Sequence, residues 1–113
     1  MKDDRVYLEH ILDAVVNVEN FLGKMEKADF IRDKLIHSAV IRQLEIIGEA
    51  VKNLSFGLKR SYKDIPWRDI ASLRDKLIHE YFGVDLSLVW IISVRDLPGL
   101  KKAVGDILKR HPG

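Results

Sequence analysis

The sequence predicts an all-α fold, an up-and-down bundle of four or five helices. Three observations point there. Apolar residues recur at spacings of three and four along nearly the whole chain, no segment alternates with the period of two expected of a half-buried strand, and helix-starting and helix-stopping residues fall where the apolar stripes begin and end.

In the first helix, Leu8, Ile11, Leu12, Val15, Val18, Leu22 and Met25 form the stripe, with Glu9, Asp13 and Asn20 off it. Asp3 or Asp4 is suited to cap its start, and a turn falls near residues 23–29. A second helix is expected from a cap at Asp29 to about Leu58. Ile36, Val40, Leu44, Ile47, Val51 and Leu54 make its main stripe, which Leu35, Ala39, Ile46 and Ala50 widen. So broad an apolar surface needs cover on more than one side, which suggests a homodimer. Gly48 sits in its middle, where glycine costs about 1 kcal/mol relative to alanine.

Residues 55–63 read as a loop. Asp64-Ile65-Pro66-Trp67 reads as a helix start, because proline is tolerated in a first turn. The third helix then carries Ile70, Leu73, Leu77 and Ile78 and stops at Gly83. Asp85 caps a fourth, with Leu86, Val89, Trp90 and Val94 facing inward. Pro98 cannot continue the hydrogen-bond ladder and should kink or split that helix. Leu100, Val104, Ile107 and Leu108 resume the stripe before a short polar tail.

With 113 residues, 47% of them apolar, the chain is expected to form one domain over 1–113 with a proper core. It has no cysteine, which excludes disulfides and thiolate metal sites. Met1-Lys2-Asp3-Asp4 is too charged for a secretory signal, and no apolar run is long enough to span a membrane, so a cytoplasmic location is expected. The net charge of +2 hides an asymmetry. Residues 3–29 hold seven acids against three bases, net −4, whereas residues 59–79 hold six bases against three acids, net +3. The basic segment also contains Tyr62 and Trp67, a modest footprint for an anionic partner such as RNA.

That segment ends in the densest chemical feature of the chain, Arg74-x4-His79-x-Tyr81. Arginine is a fixed cation whose planar donors suit phosphate. Histidine titrates near neutrality and can move a proton. Asp75, one turn before His79, and the helix C-terminus favour the charged imidazole, while Arg74 opposes it. On a regular helix Arg74 and Tyr81 lie within roughly 20° of each other, and His79 about 140° from Arg74. Convergence of all three therefore requires either an unwound helix end or two copies facing each other across a two-fold axis. Glu45 and Glu49 lie one turn apart on the second helix; facing the third, they would orient Arg74 or His79. The four histidines fall on separate segments without metal-ligand spacing. The usual nucleotide-loop, zinc-protease and serine-hydrolase motifs are missing. Residues 31–37, Ile-Arg-Asp-Lys-Leu-Ile-His, echo residues 73–79, Leu-Arg-Asp-Lys-Leu-Ile-His, and this reads as coincidence.

Arg74-x4-His79-x-Tyr81, followed by Phe82-Gly83-Val84-Asp85 and Trp90, resembles the HepT-like subgroup of the HEPN superfamily. So do Leu44-Glu45-Ile46-Ile47-Gly48-Glu49-Ala50, Asp64-Ile65-Pro66-Trp67 and Asp96-Leu97-Pro98, in the right order over residues 5–108. The resemblance implies a dimerising helical bundle with the motif near a cleft at the interface. It implies an endoribonuclease that uses neither metal nor cofactor and leaves a 2′,3′-cyclic phosphate. Such a protein is the toxin of a type VII toxin–antitoxin pair, whose antitoxin is a minimal, MntA-type nucleotidyltransferase. Carried over, Arg74 holds the scissile phosphate, His79 acts as general base or acid, and Tyr81 is the adenylylated residue. Asp75 and Glu49 are supporting candidates, and Lys63, Arg68 and Lys76 candidate RNA contacts. The rival reading is a non-catalytic helical module that binds nucleotide or substrate for a nucleotidyltransferase partner.

Overall fold

The computed structural model describes residues 2–78 and 84–111, and every regular element among them is helical. In chain order these are α1 (Lys2–Leu22), α2 (Lys27–Arg32), α3 (Lys34–Lys52), α4 (Phe56–Ser61), α5 (Trp67–Ala71), α6 (Leu73–Ile78), α7 (Leu86–Ile91), a π-helical turn (Ile92–Asp96) and α8 (Leu97–Arg110). The expected all-α bundle is therefore the fold. Its pillars are α1, α3, the α5–α6 pair and the α7–α8 rod.

The stripe of α1 is buried as its spacing requires: Leu8, Ile11, Val15 and Val18 are at most 1% exposed. They pack on α3 and α8. Polar contacts on the rim hold α8 in place. The Arg5 guanidinium donates to the His111 carbonyl at 2.7 Å, and Lys101 meets Glu19 at 2.9 Å. Gly23 ends α1 at φ 51°, in the left-handed region that glycine occupies without strain.

Asp4 has a different job from capping α1. It lies inside the first turn and is buried, and its carboxylate accepts from the Ser55 backbone N–H at 2.7 Å and the Ser55 hydroxyl at 2.6 Å. Ser55 in turn caps α4 by accepting from Leu58 N at 3.2 Å. The segment expected as a loop is thus a short capped helix, nucleated by a polar contact across 51 residues of sequence. No local pattern encodes it.

The second pillar is broken where continuity was expected. Glu26, not Asp29, precedes α2, and Asp29 instead pairs with Arg32 at 3.0 Å. Asp33 adopts φ −91°, ψ 92° and accepts from Ile36 N at 3.0 Å, so it ends one helix and caps the next. Beyond this break α3 buries Val40, Leu44, Ile47, Gly48, Ala50 and Val51. Helix α1 covers it on one side and α5 and α6 also pack on it. Both covers come from the same chain, so the width of the stripe no longer requires a second copy. Leu35, expected to widen the stripe, is 79% exposed.

Pro98 splits the last rod as expected. It has no N–H for the carbonyl one turn back, and the chain accommodates it by widening to a π turn just before it. Within that turn the buried Ser93 hydroxyl donates to the Val89 carbonyl at 2.8 Å. The change of register turns Val94 outward, 46% exposed, where a continuous helix would have faced it inward. Trp90 does face inward, against the fully buried Phe30 at 5.4 Å between ring centroids.

Replacing Asp4 with alanine strands the Ser55 donors in a buried place. The expected loss is about 2 kcal/mol of stability, read as a lower denaturation midpoint in urea, with α4 the first element to lose amide protection.

Candidate functional site

The sequence Leu73–Ile78 becomes a separate helix because Ser72 interrupts the run. Its backbone leaves the α geometry at ψ 1°, and its hydroxyl donates to the Asp69 carbonyl at 2.9 Å. Lys76 N then donates to the Ser72 carbonyl at 2.9 Å, restarting the ladder as α6. Leu73 and Leu77, four apart, are 8% and 0% exposed and fix this helix to the core. Asp75 and Lys76 are exposed on its outer face. The backbone of Arg74 lies in the first turn of α6. His79 and Tyr81 lie outside the described residues.

Beside α6 is a groove of about 760 Å³. Its walls are Ile65, Pro66, Ile70 and Leu73 on one side and Leu88, Ile92, Leu97, Leu100 and Ala103 on the other. Lys76, Asp64, Asp69, Arg95 and Asp96 supply its polar atoms. Arg95 forks onto Asp96 with Nε–Oδ1 at 2.9 Å and a second bond at 3.3 Å, and this hydrogen bond and charge raise its already high pKa. Trp67 anchors the opening loop, its indole N–H donating to the Tyr62 carbonyl at 3.0 Å. The motifs Asp64-Ile65-Pro66-Trp67 and Asp96-Leu97-Pro98, distant in sequence, are thus opposite walls of one groove next to the motif helix.

A second groove of about 560 Å³ adjoins the first, sharing Asp64, Ile65 and Ala103 as wall residues, and is lined further by Arg60, Tyr62, Lys63, Asp106 and Arg110. Of the sequence-nominated cations, Lys76 lines the first groove and Lys63 the second; Arg68 is exposed on α5. Arg60 belongs to the basic segment of residues 59–79 but was not singled out, and Arg110 fell in the expected tail. The four-residue spacing of Phe56 and Arg60 was the available signal. Glu45 and Glu49 line a different groove, of about 350 Å³, with Tyr7, His10, Arg42 and Asn53 between α1 and α3. Neither glutamate lines the two adjoining grooves. Among the described residues no group of three or more His, Cys, Asp or Glu is placed to hold a metal ion.

The echo of the motif is structurally unlike it. Arg32-Asp33-Lys34-Leu35-Ile36-His37 is identical to residues 74–79, yet Asp33 breaks the helix. Arg32 is exposed and paired with Asp29, while His37 Nδ1 donates to the Phe30 carbonyl at 3.3 Å. Both side chains serve local structure.

Comparison with known proteins matches residues 11–107 to the model of the "Ribonuclease HepT-like" family. A "Probable ribonuclease HepT" from Thermococcus cleftensis is 50% identical over 84% of this chain and 86% of its own length. A "Putative RNase" from Caldanaerobacter subterraneus subsp. tengcongensis is 43% identical over 98% of the chain and 99% of its own length. A Methanocaldococcus jannaschii protein whose name joins gamma-glutamylcyclotransferase with an RNase is also 43% identical, and the chain spans 49% of that longer protein. No solved structure matches the chain. A helical bundle with an intact Arg-x4-His-x-Tyr motif, matched along most of its length to ribonuclease relatives, establishes that this chain belongs to the HepT-like ribonuclease family.

Proposed function

We propose that the protein is a metal-independent endoribonuclease and the toxin of a toxin–antitoxin pair, with Arg74 and His79 as its catalytic residues. The observation that carries this reading is the intact Arg74-x4-His79-x-Tyr81 motif on a family-matched scaffold whose motif helix is pinned by Leu73 and Leu77. In the proposed reaction His79 withdraws the proton of a ribose 2′-hydroxyl. The 2′-oxygen bonds to the adjacent phosphorus, the bond to the 5′-oxygen breaks, and that oxygen takes a proton from water as it leaves, while His79 afterwards gives its proton back to solvent. Arg74 stabilises the charge that grows on the phosphoryl oxygens, which is where preorganised donors contribute most. The nucleophile is already part of the substrate, so alignment and charge stabilisation suffice. Asp75 supports Arg74 from the next position, and Lys63, Arg68 and Lys76 hold flanking RNA.

Cleavage should survive chelator and leave a 2′,3′-cyclic phosphate with a 5′-hydroxyl, read by end-group analysis of a defined RNA. Arg74→Ala or His79→Ala should lower the rate by at least about a hundredfold. Arg32→Ala, in the identical hexapeptide, should leave it intact. Activity lost in chelator, or retained by His79→Ala, overturns the mechanism.

The proposed antitoxin is a nucleotidyltransferase that acts on Tyr81. The tyrosine oxygen attacks the α-phosphorus of ATP, pyrophosphate leaves, and the attached adenylate places an anion where Arg74 and Lys76 would bind RNA phosphate. Coexpression with the partner should add one or more adenylate masses at Tyr81, mapped by peptide fragmentation, and suppress cleavage. Suppression with an unmodified Tyr81 would mean inhibition by docking alone.

The active form is proposed to be a homodimer whose two motif segments share a cleft, which would resolve the divergence expected of Arg74 and His79 on a regular helix. Leu35 and Ile31, 79% and 37% exposed, are apolar surface left for such contact. Light scattering at micromolar concentration should give twice the chain mass, and a monomer that cleaves RNA would refute the shared cleft.

A further inference from the structure

At the end of the molecule where α4 meets the C-terminus of α8, exposed aromatic and cationic side chains gather. Phe56 is 71% exposed, and the Arg60 guanidinium lies 4.5 Å from its ring centroid. Four residues apart on α4, these two side chains make a flat apolar and cationic platform at the surface. The groove beginning there is lined by Arg60, Lys63 and Arg110 against Asp64 and Asp106. None of the three cations forms an ion pair with a described residue. Asp64 and Asp106 offset two of these three charges at a distance, and the groove keeps a surplus of one positive charge for an anion from outside.

This groove adjoins a larger one that reaches the motif helix. Asp64, Ile65 and Ala103 line both, and the larger groove extends to Leu73 and Lys76 on α6. The two halves differ in character. The α4 half offers unpaired cations, which suit phosphates. The α6 half has an apolar floor, with Asp64 and Asp69 at its edge as acceptors for the exocyclic amines of a base and with Asp96 already occupied by Arg95. A single nucleic-acid strand carries both kinds of group, anions along the backbone and π faces with amine edges on the bases.

We propose that the two adjoining grooves form one track for single-stranded RNA, running from the motif helix to the Phe56–Arg60 platform. It binds the strand flanking the cut, with Arg60, Lys63 and Arg110 on phosphates and Phe56 stacked on a base. This rests on the ribonuclease reading for the identity of the polymer. The track makes the protein a reader of unpaired RNA several nucleotides long, because a duplex presents no free base to the apolar floor.

The test measures binding apart from cleavage, using fluorescein-labelled 2′-O-methyl RNA of about twelve nucleotides, which lacks the attacking hydroxyl. Anisotropy of the wild type is compared with Arg60→Ala/Arg110→Ala and with Phe56→Ala, each checked for helical circular dichroism. Each phosphate contact on a single strand contributes about 0.7 to the slope of log affinity against log salt. The double variant should therefore lower that slope by about 1.4 and weaken binding about tenfold at moderate salt. Phe56→Ala should weaken binding at least about fivefold with the slope unchanged. A self-complementary duplex of the same length should bind more weakly than the single strand. Wild-type slope and affinity in both variants would overturn the track and leave this face to a protein partner. Cleavage of ordinary RNA by the same preparations is scored separately, so a failed nuclease reading and a failed track give different results.

Discussion

The architecture depends on α3 being apolar on two sides within a single short chain. Its Val40, Leu44, Ile47 and Val51 are fully buried because α1 closes one side while α5 and α6 pack on it as well. Burying side chains of this size removes about 1.5–3 kcal/mol each of exposed apolar cost, which makes α3 the element around which the others are ordered. The motif helix α6 has only six residues, too few to be stable alone in water. Leu73 and Leu77 give it a fixed place. The chemistry proposed for Arg74 thus inherits its rigidity from packing and not from helix propensity.

Polar contacts then decide how the ends are arranged around that core. Asp4 holds Ser55 and through it the start of α4, while Arg5 reaches the C-terminal carbonyls of α8. These contacts bring α4 and the end of α8 together, and with them the unpaired cations Arg60, Lys63 and Arg110. Part of the basic segment, Arg60, Lys63 and Lys76, is joined in three dimensions by Arg95 and Arg110 along two adjoining grooves. Arg60, Lys63 and Arg110 lie at the α4 end beside Asp64 and Asp106, while most of the apolar wall lies near α6 with Lys76, Arg95, Asp69 and Asp96. An enzyme acting on a polyanion gains from such a division, since sequence-independent affinity and base contacts come from different places.

Much of this was legible in the order of residues. The stripe of α1, the start at Asp64-Ile65-Pro66-Trp67, the cap at Asp85 and the disruption at Pro98 follow from local stereochemistry, and local stereochemistry is what a sequence displays. The motif was legible too, because Arg, His and Tyr at fixed spacing are a chemical statement before they are a structural one. The helix α4 was not legible, since its cap depends on a carboxylate 51 residues away. Nor was the outward turn of Val94, because Pro98 announces a disruption but not that the chain would meet it with a π turn. The wide stripe of α3 was read correctly as needing two covers, but whether these came from one chain or two was a question of topology.

The hexapeptide Arg-Asp-Lys-Leu-Ile-His separates the two sources of information most sharply. It occurs at residues 32–37 and again at 74–79. In the first copy the aspartate is extended and caps a new helix, and the leucine is 79% exposed. In the second, Leu73–Ile78 is one continuous helix and the leucine is fully buried. The sequence by itself determined that this chain is helical, where most of its pillars run and which residues are proposed to carry its chemistry, because periodicity, caps and side-chain chemistry are local properties. The tertiary structure decided which copy of the hexapeptide is pinned to the core and lines a groove, because burial of Leu77 against distant parts of the chain outweighs the small energy that separates a capped break from an unbroken turn.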